Sequence, residues 1–371
     1  MAFAVNKHER PGLDPMCARK FYFILMKRNH RIIIVLGVHR SGTSALTKGL
    51  ETMGISLGNT LIAPNIFNKK GYWEDSDFHG LNLAMLNSFD ERFRRILSIT
   101  EEEAMILCQK GYLTRALEIL DKKLAKNNLL GVKDPRFSLL LPFWKKVFEH
   151  AEADVSFLIS LRNPLNVAAC QEQFKNQHQE KSLWIWISYL LSCLIHSEER
   201  PRAIIDYDEL LKNPMHQMQR VSMTLGLPLN PSLLTSYSYQ FIDASLRHFY
   251  DSKKNNQKKN FAYLFATQMY ETLLAVATDR LSFEGLKTFL EQWKEQFFKI
   301  ESLLVLEEKN NHRIYNLMEA NQKLHNTNIE QLKTIIDLNK TIMEKFKFVA
   351  ELHETIEQQK RHIAFMKQQQ I

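Results

Sequence analysis

The sequence predicts an α/β protein with a three-layer parallel sheet, followed by a long C-terminal coiled-coil helix. Short aliphatic runs alternate with helical segments through about the first 230 residues, and a heptad repeat fills residues 301–371. The chain has 371 residues, of which 45% are hydrophobic and 24% charged, with only 12 Gly and 10 Pro. This composition is typical of a globular protein and excludes collagen-like and Pro/Gly-rich architectures.

The first element is the aliphatic run Arg31–Leu36, which has the pattern of a buried parallel strand. The loop 37–44 that follows contains two glycines and several hydroxyl residues, and residues 45–53 have a helical pattern that Gly54 closes. A strand, a glycine loop and a helix in this order open nucleotide-binding α/β domains, so the fold is predicted to be P-loop-like.

The same alternation continues along the chain and predicts three further parallel strands joined by right-handed helical crossovers. The predicted strands cover residues 129–132, 155–161 and 203–207, and the predicted helices cover residues 101–126, 164–179, 183–198 and 208–225. The turn into the last helix contains three acidic residues, Asp206, Asp208 and Glu209. We interpret them as helix-capping residues rather than metal ligands.

Changes in composition divide the chain into four regions. Residues 1–28 are a basic N-terminal extension for which disorder is predicted, and either Met1 or Met26 can be the translation start. Residues 29–250 form the α/β domain, residues 251–300 a polar linker and a helical segment, and residues 301–371 the coiled coil.

The C-terminal repeat has mostly β-branched residues at heptad position a and mostly Leu at position d. Position a holds Ile314, Asn321, Asn328, Ile335, Ile342, Val349, Ile356 and Ile363, and position d holds Leu317, Leu324, Gln331, Leu338, Lys345, Leu352, Gln359 and Met366. This pattern predicts a parallel homodimer, in which the Asn residues favour register over stability. A chain cut near residue 300 is expected to be monomeric. The alternative is one long amphipathic helix packed on the α/β domain.

The net charge of +8 is concentrated at one end, because residues 1–31 carry +5 and the other 340 residues only +3. We therefore expect no nucleic-acid partner. No apolar run reaches the roughly eighteen residues of a membrane-spanning helix, and no secretory signal is evident. The four cysteines include no CxxC pair, which predicts no zinc site and a reducing, cytoplasmic location.

The loop Gly37–Ser44 has the G-x4-G spacing of a phosphate-binding loop, in which backbone N–H groups and a helix N-terminus surround an anion. A nucleoside triphosphatase has Lys after the second glycine, whereas this chain has Thr43. The strand 155–161 is followed by Arg162 and offers no Asp for magnesium. These two features disfavour a P-loop small-molecule kinase, which stays as the alternative enzyme, and they predict a site without metal. A tight turn that merely needs glycine is the structural alternative.

Five segments together resemble the PAPS-dependent sulfotransferase family, and most closely its bacterial carbohydrate-type and tyrosylprotein-type branch. They are the loop His39–Ser44, the segment Gly71–Asp75, Lys133–Arg136 after the second strand, Leu161–Pro164 after the third, and Asp206–Pro214 after the fourth. The resemblance covers about residues 29 to 230 and leaves the coiled coil outside. It implies the sulfotransferase fold, PAPS (3′-phosphoadenosine 5′-phosphosulfate) as donor, and a hydroxyl as acceptor.

The resemblance also implies donor-binding residues. The family's 5′-phosphosulfate loop matches Arg40, Ser41, Gly42, Thr43 and Ser44, with Arg40 supplying the cation that a kinase obtains from lysine and magnesium. The family's 3′-phosphate site begins at Arg162 and ends eight residues later at Cys170, where the family has serine. Because a thiol is the weaker donor, Cys170 predicts reduced donor affinity or another residue at that phosphate. The structural alternative for Arg162 is an ion pair at a strand end.

Sulfuryl transfer needs a base for the attacking hydroxyl and positive charge near the leaving phosphate. The resemblance implies that Glu74 is the base, and His79 is the alternative because an ordinary histidine has a pKa near neutrality. Lys133 matches the family's cation near the leaving phosphate, Asp134 is expected to orient it, and Arg136 to contact donor or acceptor. The structural alternative for Glu74 is a surface or helix-capping carboxylate. The structural alternative for the segment 133–136 is a salt-bridge cluster at a strand end.

The predicted function is therefore sulfuryl transfer from PAPS to an acceptor hydroxyl, on a carbohydrate or a glycolipid. Two alternatives stay open: the small-molecule kinase, and a catalytically degenerate sulfotransferase fold that serves as a coiled-coil scaffold. Only Cys170 supports the scaffold, whereas the joint presence of Arg40, Lys133 and Arg162 disfavours it.

Overall fold

The computed structural model describes residues 30–65, 68, 70–89, 96–243 and 260–368. One sheet contains four parallel strands, namely β1 Arg31–Leu36, β2 Leu129–Lys133, β3 Asp154–Leu161 and β4 Arg202–Asp206. Their order across the sheet is β2-β1-β3-β4, so β1 and β3 lie in the centre. The four predicted strands are confirmed to within one residue at each end.

The side chains of β1 alternate between the two faces of the sheet and enter separate cores. Ile32 and Ile34 belong to the larger core, whereas Ile33 and Val35 belong to the smaller one. Because helices cover both faces, a central strand must be apolar at successive positions. The continuous aliphatic run in the sequence is thereby explained, and the predicted three-layer α/β class is confirmed.

Helices connect the strands on both sides of the sheet. Between β1 and β2 lie α1 Thr43–Gly49 with a 3₁₀ turn Leu50–Met53, α2 Ser76–Asn87, α3 Glu101–Gln109 and α4 Tyr112–Leu124. α5 Phe137–His150 follows β2. β3 is followed by α6 Pro164–Lys175 and α7 Gln179–His196. β4 is followed by α8 Tyr207–Lys212, α9 Pro214–Leu225, α10 Pro231–Ser236 and a π-helical turn Tyr237–Phe241.

Two segments that the sequence predicts as single helices are each two helices in the structure. The segment 101–126 is interrupted at Gly111, whose φ of 83° is left-handed and favours glycine. The segment 208–225 is interrupted at Asn213, because a proline such as Pro214 disfavours helical geometry at the residue before it.

Two helices follow the α/β region, α11 Phe261–Ala277 and α12 Phe283–Gln368. The predicted long C-terminal helix is confirmed, but it starts at Phe283, inside the segment 251–300, and continues without a break past residue 301. The chain divides into two compact units, of which the first ends at Glu308 and the second begins at Lys309.

Within the first unit, α12 packs on the larger core through side chains on one helix face. These buried residues are Leu286, Leu290, Trp293 and Leu304. Glu308 then accepts the backbone N–H of Leu97 at 2.8 Å. A chain cut near residue 300 would therefore lose part of this core, and a cut after Glu308 is the better test of the coiled coil.

The predicted basic extension 1–28 and residues 251–259 of the predicted linker lie outside the described residues. None of the described helices is long and apolar enough to cross a membrane. Among the cysteines in the described ranges, Cys108, Cys170 and Cys193 are free thiols. The cytoplasmic location inferred from the cysteine pattern stays a prediction.

Candidate active site

A cleft of about 680 Å³ lies at the carboxyl ends of the parallel strands, where α/β proteins commonly bind ligands. The predicted site residues that line it are Arg40, Gly42, Thr43, Ser44, Glu74, His79, Lys133 and Arg162. The structure thus brings eight of the ten predicted residues into one cleft. Ser41 and Cys170 are not among the lining residues.

The loop after β1 contains two residues in the left-handed region of backbone conformation. Arg40 has a φ of 72°, and Gly42 has a φ of 92°. A Cβ on Gly42 would lie 2.1 Å from Cδ2 of Tyr207, so only glycine lets the Tyr207 ring pack against the loop. Because α1 begins at Thr43, the N–H groups of its first turn have no intrahelical acceptors.

Ser41 and Cys170 support this loop from behind. The Ser41 hydroxyl donates to the carbonyl oxygen of Val38 at 2.7 Å, and the residue is fully buried. Cys170, on α6, is also fully buried, and its Sγ accepts a hydrogen bond from Nε of Arg40 at 3.1 Å. The two side chains therefore shape the loop and hold Arg40 instead of facing the cleft.

Arg162 places a buried positive charge beside the loop. Its guanidinium donates to the carbonyl oxygen of Arg40 at 2.8 Å and lies 4.7 Å from the centre of the Tyr207 ring. Trp186, on α7, donates to the carbonyl oxygen of Arg162 at 3.0 Å. Burial lowers the pKa of Arg162 from its usual value, but a guanidinium remains a cation at neutral pH.

Asp206 fixes the start of α8, which carries Tyr207. One carboxylate oxygen accepts the backbone N–H groups of Asp208 and Glu209 at 2.9 Å and 3.1 Å. The other oxygen accepts the hydroxyl of Tyr270 at 3.1 Å. The predicted capping role of Asp206 is confirmed.

Glu74 and Lys133 form a buried ion pair in the cleft wall. Nζ of Lys133 lies 2.6 Å from Oε1 of Glu74 and also donates to the carbonyl oxygen of Tyr72 at 2.8 Å. The intervening Trp73 has a left-handed φ of 55°, which costs a non-glycine residue on the order of 1 kcal/mol. Packing of Trp73 under the ammonium group of Lys48, 4.4 Å from its ring, supports this conformation.

Asp75 fixes the backbone on the other side of Glu74. Its carboxylate caps α2 by accepting the N–H of Asp77 at 3.0 Å, and it forms an ion pair with the buried Lys123. The hydroxyl of Thr60 donates to the same carboxylate at 2.8 Å. Glu74 is therefore carried by a segment that is anchored at both neighbouring residues.

His79, in the first turns of α2, lies between two carboxylates. Its Nδ1 is 3.2 Å from Oε2 of Glu74 and 3.3 Å from Oδ2 of Asp134. Hydrogen bonds to Asp134 and Glu74 raise the pKa of His79 to about 9. At neutral pH the ring is therefore a cation that donates hydrogen bonds and has no free site for another proton. This geometry favours Glu74 over His79 as the base.

Asp134 is fully buried and contacts His79 and Arg136. Its carboxylate accepts the backbone N–H of Arg136 at 2.8 Å and a guanidinium N–H of the same residue, from Nη1, at 3.1 Å. Burial acts to raise the pKa of Asp134, but the hydrogen bond from His79 and the charge of Arg136 hold this pKa below its usual range. The sequence led us to expect that Asp134 orients Lys133, but the structure places Lys133 against Glu74 and Tyr72 instead.

Glu74, His79 and Asp134 each offer an atom within 4.8 Å of the others, which is the spacing of a metal site. Both carboxylates already have a cationic partner, because Lys133 pairs with Glu74 and Arg136 with Asp134. His79 in its protonated form is also not a metal ligand. With His79 protonated, the cluster has three positive charges against two negative ones, so it offers no uncompensated negative charge to a metal ion.

The cleft residues that were not identified from the sequence include Lys70, Gln171 and Lys175. Gln171 and Lys175 lie one turn apart on α6, and Gln171 donates to the carbonyl oxygen of His39 at 3.1 Å. The available signal was their four-residue spacing, which places both side chains on one helix face. Lys70 lies 3.7 Å from the carboxylate of Asp243.

The cleft is strongly cationic. Six Lys or Arg residues line it, against the two acidic residues Glu74 and Asp243. Such an excess raises the local concentration of anionic ligands. The fold and the cleft together define an α/β protein with a cationic cleft at the ends of its parallel strands.

The sequence model of the sulfotransferase family matches residues 32–231, which is more than half of the chain. This protein therefore belongs to the sulfotransferase family. The match includes every predicted site residue, from Arg40 to Cys170.

Several solved sulfotransferase structures are similar to this one. The sulfotransferase domain from the Synechococcus PCC 7002 olefin synthase is 16% identical, with a TM-score of 0.41, and the match covers 67% of this chain and 96% of that chain. The sulfotransferase domain from the curacin biosynthetic pathway is 18% identical, with a TM-score of 0.36, covering 67% and 99%. A sulfotransferase from Mycobacterium tuberculosis H37Rv is 12% identical, with a TM-score of 0.36, covering 62% and 78%. No curated protein matches the sequence. Similarities at this level identify no substrate.

Proposed function

We propose that this protein transfers the sulfuryl group of PAPS to a hydroxyl of a carbohydrate or a glycolipid. The observation that carries the proposal is that one cleft contains both arginines and a carboxylate. Arg40 and Arg162 provide positive charge for an anionic donor, and the carboxylate of Glu74 provides a proton acceptor. The carbohydrate class of acceptor rests on the resemblance to the carbohydrate-type branch.

The 5′-phosphosulfate of the donor is proposed to bind in the loop after β1. The donors that line the cleft there are the hydroxyl of Thr43, the guanidinium of Arg40 and the N–H groups of the first turn of α1. The hydroxyl of Ser44 donates to the carbonyl oxygen of Tyr72 at 3.2 Å and would have to turn from it to reach the donor. The 3′-phosphate is proposed to bind at Arg162. Because Arg162 also bonds to the carbonyl oxygen of Arg40, one contact joins the two phosphate sites.

Lys175 is proposed to take the place of the serine that the family has at the position of Cys170. The thiol of Cys170 is fully buried and engaged by Arg40, so it is not available to a ligand. Lys175 lies on the same helix, is exposed, and lines the cleft together with Arg162. An ammonium group gives a phosphate a charge-assisted hydrogen bond, which is stronger than that of a hydroxyl.

In the chemical step, Glu74 is proposed to take the proton of the acceptor hydroxyl while its oxygen attacks the sulfur of PAPS. The bond from sulfur to the bridging oxygen breaks, and the 5′-phosphate of PAP (3′-phosphoadenosine 5′-phosphate) leaves with the electron pair. Lys133 has three N–H donors, of which two contact Glu74 and Tyr72. The third is available to the leaving phosphate, and protonated His79 holds Glu74 by its other oxygen.

The protein is further proposed to form a parallel homodimer through heptad positions a and d of the second unit. In the single chain these residues are exposed, for example Ile335 by 52% and Leu338 by 57%. A mainly apolar seam of this length is unfavourable in water unless a partner covers it. Light scattering should find at least two chains per particle for the full protein and one for a chain that ends at Glu308, whereas a monomeric full chain refutes the coiled coil.

Thermal unfolding with PAP, with magnesium–ATP and without ligand tests the donor. A ligand that binds only the folded state at a hundred times its Kd stabilises it by about 2.7 kcal/mol. We expect stabilisation by PAP without magnesium and less by ATP. Stronger or magnesium-dependent binding of ATP would favour the kinase. Stabilisation by PAP without transfer of radiolabelled sulfate to a panel of glycans and glycolipids would favour the scaffold.

A further inference from the structure

The second unit carries apolar residues beyond the positions that a two-stranded coiled coil uses. Between residues 329 and 346, positions b and e hold five large apolar side chains, Ile329, Leu332, Ile336, Met343 and Phe346. They are strongly exposed in the single chain, Ile336 by 64%, Met343 by 69% and Phe346 by 67%. We call these five residues the second seam.

The second seam runs beside the a/d seam along the same helix. Each member lies one position later in the heptad than an a or d residue, and the spacings are three, four, seven and three residues because Asn339 holds the e position between Ile336 and Met343. One residue turns an α-helix by about 100°, so the two seams face directions about 100° apart. Ile335 and Ile342 continue the a/d seam through the same stretch, so both seams are present together.

One partner helix cannot cover both seams. A two-stranded coiled coil buries positions a and d, and the b residues then remain on its outer surface. Scattered apolar residues are ordinary on a protein surface, but a contiguous apolar patch marks an interaction site. The second seam therefore needs a partner of its own.

The charges of this stretch indicate that the helix itself is one member of a helix bundle. Positions c and f carry Glu330, Lys333, Asp337, Lys340, Glu344 and Lys347, which alternate in sign at i, i+3 spacing within the helix. Position g is occupied by Thr327, Thr334 and Thr341. Dimeric coiled coils commonly select their partner through charges at e and g, and in this stretch those positions are uncharged. A broad apolar side opposite one charged side is typical of a helix in a bundle.

We infer that residues 329–346 of four copies of this chain form a four-helix bundle. The a/d seam joins two chains, as in the proposed homodimer, and the second seam joins two such pairs. A helix at the corner of a square bundle meets its neighbours at about 90°, close to the separation of about 100° between the seams, whereas a three-helix bundle needs about 60°. The inference is independent of donor and acceptor.

Sedimentation equilibrium of the full chain tests the inference. We expect a particle of four times the chain mass of 43.6 kDa. The double variant Ile336→Lys, Met343→Lys places two charges in the second seam alone and should halve the particle mass. The matched double variant Asn326→Lys, Gln358→Lys adds the same two charges at positions f and c, outside both seams, and should keep four chains.

A wild-type particle of two or three chains overturns the inference, and two chains would leave the proposed homodimer intact. A seam variant that keeps four chains, or that becomes monomeric, contradicts it equally. Far-ultraviolet circular dichroism shows whether the seam variant keeps its helix. If it does not, Ile336→Ala, Met343→Ala replaces it, because alanine retains helix propensity while removing the apolar contact.

Discussion

The cleft contains two groups of charged residues that are built in different ways. Around Arg162, two cations make hydrogen bonds and ring contacts with uncharged groups, because Arg162 contacts the carbonyl oxygen of Arg40 and the Tyr207 ring, and Arg40 contacts the thiol of Cys170. The charge of Asp208 also acts on Arg162. Around Glu74, opposite charges orient one another, with Lys133 at 2.6 Å and His79 at 3.2 Å. The first group is built around two cations, whereas the second is built around a carboxylate held between two cations.

This difference predicts that the two groups fail in different ways. Loss of a cation from the Arg162 group removes a contact to the donor and should weaken binding. Loss of the negative charge of Glu74 leaves the donor contacts in place and should slow turnover instead. A ligand without a 3′-phosphate, such as 5′-AMP, separates the roles of Arg162 and Arg40 further, because it lacks the phosphate proposed for Arg162 and keeps the one proposed for Arg40.

The largest effect is expected for Glu74→Gln. The amide keeps the shape of the side chain and an oxygen that can accept from Lys133, but it cannot take a proton. Turnover should fall by about 10² to 10⁴, while the affinity for PAP changes little. Initial rates and PAP titration of the same preparation measure the two quantities.

Two variants control this experiment. Glu118→Gln makes the same chemical change at an exposed position of α4 and should leave turnover unchanged. His79→Ala removes the alternative base. If His79→Ala abolishes turnover while Glu74→Gln retains it, the assignment of the base is reversed.

The next largest effect is expected for Arg162→Ala. A charge-assisted hydrogen bond contributes roughly 1.5–3 kcal/mol, so PAP affinity should fall by about ten- to 150-fold. The affinity for 5′-AMP should fall much less, because that ligand lacks the 3′-phosphate. Calorimetry with both ligands gives the ratio. An equal loss for both would mean that Arg162 serves the loop through Arg40 rather than the phosphate.

The strands and the loop after β1 were predictable because their signals are local. Six consecutive residues, Arg31–Leu36, specify a buried strand, and the two glycines specify the turn after it. The meeting of Arg40, Lys133 and Arg162 was also predictable, because parallel strands end at one edge of the sheet. Residues that directly follow strands therefore converge without any knowledge of the long-range packing.

The remaining features depend on contacts between distant residues. The protonation of His79 depends on Asp134, and the direction of Cys170 depends on Arg40. The start of α12 at Phe283 was missed because a helix packed on a core and a coiled coil share nearly the same apolar period. Lys175 was missed because its four-residue spacing from Gln171 places it on a helix face but does not indicate that this face lines a cleft.

A smaller effect concerns His79 and pH. Its pKa of about 9 in the folded protein exceeds the value of 6.5 expected in the unfolded chain. The folded state therefore retains a proton that the unfolded chain releases, so this contribution to stability is full below pH 6.5 and is lost as the pH rises through about 9. Urea unfolding should show the stability gap between wild type and His79→Gln shrinking over that range, by at least about 1 kcal/mol. A gap that stays constant would mean that His79 is neutral in the folded protein.

The smallest effect is expected for Lys175→Gln. Lys175 is exposed, and exposed ion pairs contribute only about 0.2–1 kcal/mol, so PAP affinity should fall by about 1.4- to fivefold at low salt. The loss should shrink at high salt because solvent ions screen exposed charges. It should be absent for 5′-AMP, since Lys175 is proposed to contact the 3′-phosphate alone. Lys126→Gln, at an exposed position between α4 and β2, removes the same charge and should change neither affinity. If Lys175→Gln weakens both ligands equally, the lysine acts through the general field of the cleft, and the Arg162 group recognises the phosphate without it.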